Sequence, residues 1–355
     1  MIRMRRIILT VAIAASFLLA GATPALAHTV AGTGATNYKT TLKSVSPTLP
    51  GLHVKVIEAG SRIELSYTGA KTIYVLGYVD EQYLRLDKRG VFENLNSPAT
   101  YINRTRNGVT PPDNVDPRRA PEWKKISSGH LTRWHDHRIH FMGGINPPAI
   151  RTSPGVRHVV NDDWQVKITD LTTTAILHGS LVWIPGPSPA PMLLLALLLI
   201  VGLVGLTWRV APFVPVLVAT VVLVIVDFVH ALAIGFANAG GLGLHIALTF
   251  ASSIVSVPAW AVGAGAVWLL AKRRVDGFFA AVFSGLIVAV VGGLADFTVL
   301  SRSQVPFALS TSLARVIVAT SFGLGIAVAV SSGLAIRRLE PNGPPKPADA
   351  VEAAA

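Results

Sequence analysis

Pro185-Gly186-Pro187-Ser188-Pro189-Ala190-Pro191, followed at once by Met192-Leu193-Leu194-Leu195-Ala196-Leu197-Leu198-Leu199-Ile200, divides this chain into two unlike halves. Alternate prolines fix φ and lack amide hydrogens, so the 185–191 linker can continue neither a strand nor a helix. Beyond it, apolar stretches run roughly Met192 to Trp208, Phe213 to Phe236, Leu244 to Ala271, Phe278 to Leu300 and Phe307 to Ile336. Each is near or above the ~20 residues that cross a bilayer's hydrocarbon. The expectation is an all-α bundle of about five transmembrane helices over 192–338, then a disordered cytoplasmic tail over 339–355.

Upstream of the linker the pattern changes to period two. His53 to Glu58, Arg62 to Tyr67 and Trp164 to Thr169 alternate polar with apolar residues and are rich in β-branched and aromatic side chains. With Ile73 to Tyr78, Tyr83 to Leu86, a stretch around Trp134 to Met142 and Ala175 to Ile184, about seven strands are expected, favouring an Ig-like β-sandwich over 28–184. Arg104 to Gly129, which holds Pro111-Pro112, Pro117 and Pro121, reads as a basic loop.

The N-terminus carries an export signal. Arg3, Arg5 and Arg6 precede the apolar run Ile7 to Ala20, and Ala25-Leu26-Ala27 offers small residues for a signal peptidase. Cleavage of a 1–27 signal peptide makes His28 the first residue of an extracytoplasmic domain. Arg209, Lys272-Arg273-Arg274 and Arg337-Arg338 then fall on the cytoplasmic side, Ala237 to Gly243 is uncharged, and Arg302 is the exception in an outer loop. The expected location is the cell membrane, multi-pass, with the C-terminus cytoplasmic and the lipid bilayer as the first partner.

Composition excludes several functions. The formal charge is +12, but the Lys and Arg residues spread along the export-bound half and the ends of apolar segments, so nucleic acid is rejected as a partner. The chain has no cysteine, which removes disulfides, thiolate metal sites and Cys nucleophiles. Gly-x-Ser-x-Gly, a phosphate-binding Gly-rich loop with Lys, and His-Glu-x-x-His are all absent from the sequence, and no enzyme activity is expected.

The residues that carry chemistry are histidines and carboxylates. Trp134-His135-Asp136-His137-Arg138-Ile139-His140 places three imidazoles and a carboxylate close together. On an extended strand His135 and His137 share a face ~7 Å apart, with Asp136 and His140 on the other. The alternative is a polar strand edge, with imidazoles bonded to neighbouring loops and Arg138 paired with Asp136. His28 adds an α-amine and a ring nitrogen, donors that suit copper(II) in tetragonal geometry.

An exported β-sandwich that begins with His directly after Ala-x-Ala and joins a multi-helix membrane domain resembles the copper-resistance CopC and CopD proteins, which also occur fused. The resemblance implies copper binding through His28, with the His135 to His137 segment as the loose counterpart of the family's later Asp-x-His motif, and metal movement by the membrane part. The chain departs from the family in lacking Asp-x-His at the expected place, in having fewer helices and in its extra basic loop.

Ionisable residues inside a span are costly and face partners or water-filled paths. Asp227, His230, His245, Asp296 and Arg315 all belong to the outer half of the expected bundle. Counting at ~1.5 Å per residue puts Asp227 and Arg315 at similar depth, so they are the expected ion pair, with His230 and Asp296 a second. The function expected is extracytoplasmic metal handling, copper captured by the β domain and passed to the helices. The alternative is a non-catalytic envelope scaffold that binds another envelope protein or the cell wall.

Overall fold

The computed structural model describes residues 34–339. The expected signal peptide, His28 and the tail from residue 340 onward lie outside the described residues.

Ten strands precede the Pro-rich linker: β1 (Tyr38–Ser46), β2 (Leu52–Ile57), β3 (Arg62–Tyr67), β4 (Ile73–Leu76), β5 (Gln82–Asp87), β6 (Gly90–Asn94), β7 (Trp123–Ser127), β8 (Leu131–His135), β9 (His158–Thr169) and β10 (Thr174–Trp183). Two five-residue helices, α1 (Pro98–Ile102) and α2 (Pro148–Thr152), lie after β6 and after β8. A seven-stranded sheet runs β1-β10-β9-β4-β5-β6-β7 and a three-stranded sheet runs β2-β3-β8, with antiparallel neighbours throughout.

Alternation builds the shared core. Trp164, Val166 and Ile168 of β9 are buried while Gln165 faces outward, and they join Ile63, Leu65 and Tyr67 of β3 in one apolar cluster. Burying each such side chain stabilises the fold by roughly 1.5–3 kcal/mol. Glu64 breaks the pattern in the middle strand of the smaller sheet, where register sets Lys55 and Arg133 on either side of it. Its carboxylate lies 2.8 Å from Lys55 Nζ and 2.6 Å from Arg133 Nε, which compensates its burial.

Three strands, β1, β6 and β7, go beyond the expected set. β7 lies inside the stretch 104–129 read as loop; it is the outer strand of the larger sheet, and its Lys124 and Lys125 suit an edge exposed to water. β1 alternates, but through Thr and Lys rather than a strong apolar series.

The helical region comprises α3 (Ala190–Arg209), α4 (Phe213–Gly235), α5 (Leu242–Ser252), α6 (Ser256–Ala271), α7 (Asp276–Val288) and α8 (Thr311–Leu339). A π-helical turn, Ala289–Leu294, continues α7, and a 3-10 turn spans Phe297–Ser301. Among the described residues four helices are long and apolar enough to cross a membrane, five if α5 and α6 count as one span bent by 76°. That bend corrects the single helix expected over 244–271. Pro258 has no amide hydrogen and its ring crowds the carbonyl of residue 254, so the helix breaks at 253–255.

Small residues bring the helices together. A Cβ on Gly323 of α8 would lie 2.5 Å from Ala196 Cα of α3, and a Cβ on Gly285 of α7 would lie 2.7 Å from the Gly325 carbonyl of α8. At one end of the bundle Arg338 donates to the Thr207 carbonyl at 2.7 Å and Arg273 sits 5.5 Å over the Phe213 ring. The β domain holds the other end. Thr36 and Gln304 exchange backbone hydrogen bonds of 2.9 and 2.8 Å, the Ser303 amide donates to Asn37 Oδ1 at 2.9 Å, and the Ser303 hydroxyl donates to the Ile184 carbonyl at 2.9 Å.

Gly323→Leu should therefore destabilise the bundle by about 1–3 kcal/mol through overpacking, whereas Gly333→Ala, where a Cβ meets nothing within 4 Å, should be neutral. Thermal unfolding of the two variants in detergent checks the difference.

Candidate functional site

The His-rich segment of the β domain is not one extended strand. β8 ends at His135, and the chain turns so that the Ile139 amide donates to the Asp136 carbonyl at 3.1 Å. Asp136 causes the turn. Its side chain is fully buried, with Oδ1 accepting from the Arg138 amide at 3.1 Å and Arg138 Nε at 2.8 Å. Oδ2 accepts from Trp134 Nε1 at 2.9 Å and Arg138 Nη2 at 2.8 Å. The Asp136 carboxylate, one of the candidate metal ligands, thus anchors the turn, with the Arg138 pairing that the polar-edge alternative contained.

The imidazoles diverge accordingly. His135 Nδ1 lies 3.0 Å from Ser61 Oγ, while His137 Nε2 lies 3.2 Å from the Thr105 carbonyl. The His137 and His140 rings meet edge to face at 5.3 Å. Burial, with Arg62 beside His135 and Arg106 near both, pushes His135 and His140 down to about 4. Among the described residues no group of three or more His, Cys, Asp or Glu side chains is arranged to hold a metal ion. His28 lies outside those residues.

The bundle does gather three of its expected polar residues. Asp227 and His230, three apart on α4, share a face, and Asp296 reaches them from the end of the π-helical turn. All three are buried, at 2 %, 4 % and 3 % exposure. His230 Nε2 lies 2.9 Å from Asp296 Oδ2, and His230 Nδ1 lies 3.9 Å from Asp227 Oδ1. Trp260 of α6 donates its indole N–H to Asp227 Oδ2 at 2.7 Å. The His230 ring stacks on Phe307 at 5.2 Å, which closes the cluster from the side of the β domain.

Backbone irregularity makes the space. A Cβ on Gly292 would lie 2.2 Å from Asp227 Oδ1, so only glycine lets the π turn approach the carboxylate. The break between α5 and α6 brings Ser252, Ser253 and Ser256 to the same point, lining with Asp227, His230 and Asp296 a cavity of about 20 Å³. That is room for one water-sized guest. Helical discontinuities of both kinds recur at functional sites in membranes.

The expected Asp227 to Arg315 pair does not form. Asp227 is engaged by Trp260 and His230, and Arg315 Nη2 donates to the Arg302 carbonyl at 2.8 Å. Equal depth along two helices says nothing about which faces meet. His245 stands apart as well, stacked on Phe236 at 4.7 Å with Nδ1 3.2 Å from the Gly235 carbonyl. Sequence reasoning missed Trp260, Gly292 and the three serines; serines clustered before a proline inside an apolar stretch were the available signal.

Comparison with known proteins gives no match: no family model fits the chain, and no curated protein or solved structure is significantly similar to it.

Two outcomes follow from this geometry. Replacing Asp227 and His230 should be non-additive by at least about 0.5 kcal/mol in a double-mutant cycle, and replacing Asp227 and Arg315 additive within about that margin; unfolding in detergent reads both. In the β domain, His135 and His140 bind protons less readily folded than unfolded, so stability present above the unfolded value near 6.5 is lost as pH falls toward about 4. A thermal midpoint measured across that range should decline, and His140→Asn should flatten the slope.

Proposed function

We propose that this chain is a multi-pass cell-envelope protein whose bundle exchanges protons at Asp227, His230 and Asp296 with the side on which the β domain sits. The observation that carries the reading is the 2.9 Å contact between His230 Nε2 and Asp296 Oδ2 inside an apolar bundle. Two carboxylates and an imidazole can together take up or release three protons, and the adjoining cavity has room for a single water to deliver them. Ionisable groups are retained at such depth at a cost of several kcal/mol each, about 2.5–3.5 on insertion scales, which favours function over packing as the reason for them.

The contacts between the β domain and the helices support an orientation. The pairing of Thr36 with Gln304 puts the 302–310 connection beside the β domain. With α3 leaving that side, the count of crossings closes only if the bent α5 and α6 together pass through the bilayer, giving five. Arg209, Lys272 to Arg274 and Arg337-Arg338 then lie at the far end, the cytoplasmic end by the positive-inside rule. In this reading the two sheets form a sandwich of the immunoglobulin kind, extracytoplasmic after removal of residues 1–27.

Copper capture by the β domain is the second reading. It is favoured by the neutral state of His135 and His140, the form in which imidazole binds a metal, and it needs His28 as the principal ligand. A scaffold role for the basic loop is the remaining option.

The proton reading is tested in proteoliposomes with the β domain outward. An external acid jump should change the fluorescence assigned to Trp260 by difference from Trp260→Phe, and Asp227→Asn should abolish the change. A response to internal acid only, or an unchanged response in Asp227→Asn, would contradict it; stoichiometric copper in the same preparation would favour the second reading.

A further inference from the structure

The β domain carries an exposed apolar patch on the two loops that flank α2. Phe141-Met142-Gly143-Gly144-Ile145-Asn146 precedes that helix, and Pro154-Gly155-Val156-Arg157 leads from it into β9. Met142, Ile145, Val156 and Val159, the second residue of β9, are all exposed to solvent, Ile145 at 75 %. Single apolar side chains on a surface are ordinary, but several brought together mark a surface that something else covers.

Two aromatic residues hold both loops at one end of the larger sheet. Tyr38, the first residue of β1, pairs in register with Trp183, the last of β10, and their rings meet edge on at 5.2 Å. The Tyr38 ring stacks on Phe141 at 4.5 Å and its hydroxyl donates to Asn146 Oδ1 at 2.8 Å, while Trp183 Nε1 donates to the Pro154 carbonyl at 3.0 Å. This is the end that meets the helices. Ala35, just before β1, joins Met192 and Leu195 of α3 in one apolar cluster, and only Ile184 and the Pro-rich linker separate Trp183 from the start of α3. If α3 enters a bilayer, the patch therefore lies beside its point of entry.

Charge identifies the occupant. From Phe141 to Val160 the sequence has no Asp or Glu, whereas Arg151 and Arg157 are both exposed. Apolar side chains flanked by cations that no neighbouring carboxylate in the segment opposes match a lipid surface, the former at the boundary of headgroups and acyl chains and the latter at the phosphates. We propose that the 141–159 surface rests on the bilayer, with Met142, Ile145 and Val156 entering the headgroup region and Arg151 and Arg157 drawn to anionic lipid. The β domain is then held at two points, the seam with the helices and the lipid itself, which fixes its tilt over the 297–308 connection. The inference rests on the multi-pass reading above but not on proton exchange.

The chain has no cysteine, so single Cys substitutions in the full chain can each carry an environment-sensitive fluorophore. In nanodiscs containing phosphatidylglycerol, a label at Ile145→Cys should be blue-shifted and quenched by lipids spin-labelled near the headgroup. A label at Leu198→Cys, exposed on α3, reports whether the bundle itself lies in lipid and should be quenched by lipids labelled deep in the acyl chain. Leu171→Cys is the control: it is similarly exposed, at 67 %, in the turn between β9 and β10. That turn is ~36 Å along the hairpin from His158, and its label should show neither effect. Arg151→Glu with Arg157→Glu should reduce the quenching at Ile145, as should raised salt. An unquenched label at Leu198 would overturn the membrane reading and this inference together, whereas quenching at Leu198 without quenching at Ile145 would overturn this inference alone. A shift at Ile145 that grows with the number of chains per disc, without quenching by lipid, would overturn it in favour of a second copy on the patch.

Discussion

The contact between His230 and Asp296, buried with Asp227 among apolar helices, is the constraint around which the helical half is arranged. Charged or polar groups buried among apolar side chains are costly unless they are paired or hydrogen-bonded. Trp260 serves Asp227 from α6, and it can do so because α5 and α6 bend at 253–255. Gly292 lets the widened π turn close on the carboxylate, and the turn delivers Asp296 to the imidazole. Straight helices of the same composition would carry the same residues past one another.

The segment from Asp296 to Ala308 joins this cluster to the β domain. Phe307 stacks on His230, and the Ala308 amide donates to the Ala233 carbonyl at 2.9 Å. A few residues earlier the same segment pairs with Thr36, Asn37 and Ile184. Gly186 sits so near the Ser301 carbonyl that a Cβ there would lie 1.8 Å from it. The β domain is thus seated on the connection that covers the polar cluster, and the residues just before its first strand and just after its last supply the seat.

Much of this organisation was legible in the sequence, and the parts that were not have a common cause. Periodicity located the strands Arg62 to Tyr67 and Trp164 to Thr169, because burial on one face writes itself into local order, while alternate prolines marked the linker and unbroken apolar length marked the helical stretches. It did not find β7, whose lysines reflect an edge, nor the turn at Asp136, which depends on Trp134 and Arg138 meeting the carboxylate in space. Ionisable residues within the apolar stretches drew attention to Asp227, His230 and Asp296, which the structure brings together. The expected pair of His230 with Asp296 forms, whereas Asp227 does not meet Arg315, because depth is one coordinate, and the rotation of α4 against α8 is another that no single sequence displays.

The proposed proton exchange requires protonation of buried carboxylates, and isotope-edited infrared difference spectroscopy reads that directly. With aspartate labelled, acidification of the full chain in lipid should produce a protonated-carboxyl band that is removed by Asp227→Asn or Asp296→Asn and shifted in His230→Gln. A difference spectrum indifferent to all three substitutions would contradict the account, because the buried cluster would then hold its protons fixed and serve only to lock the helices.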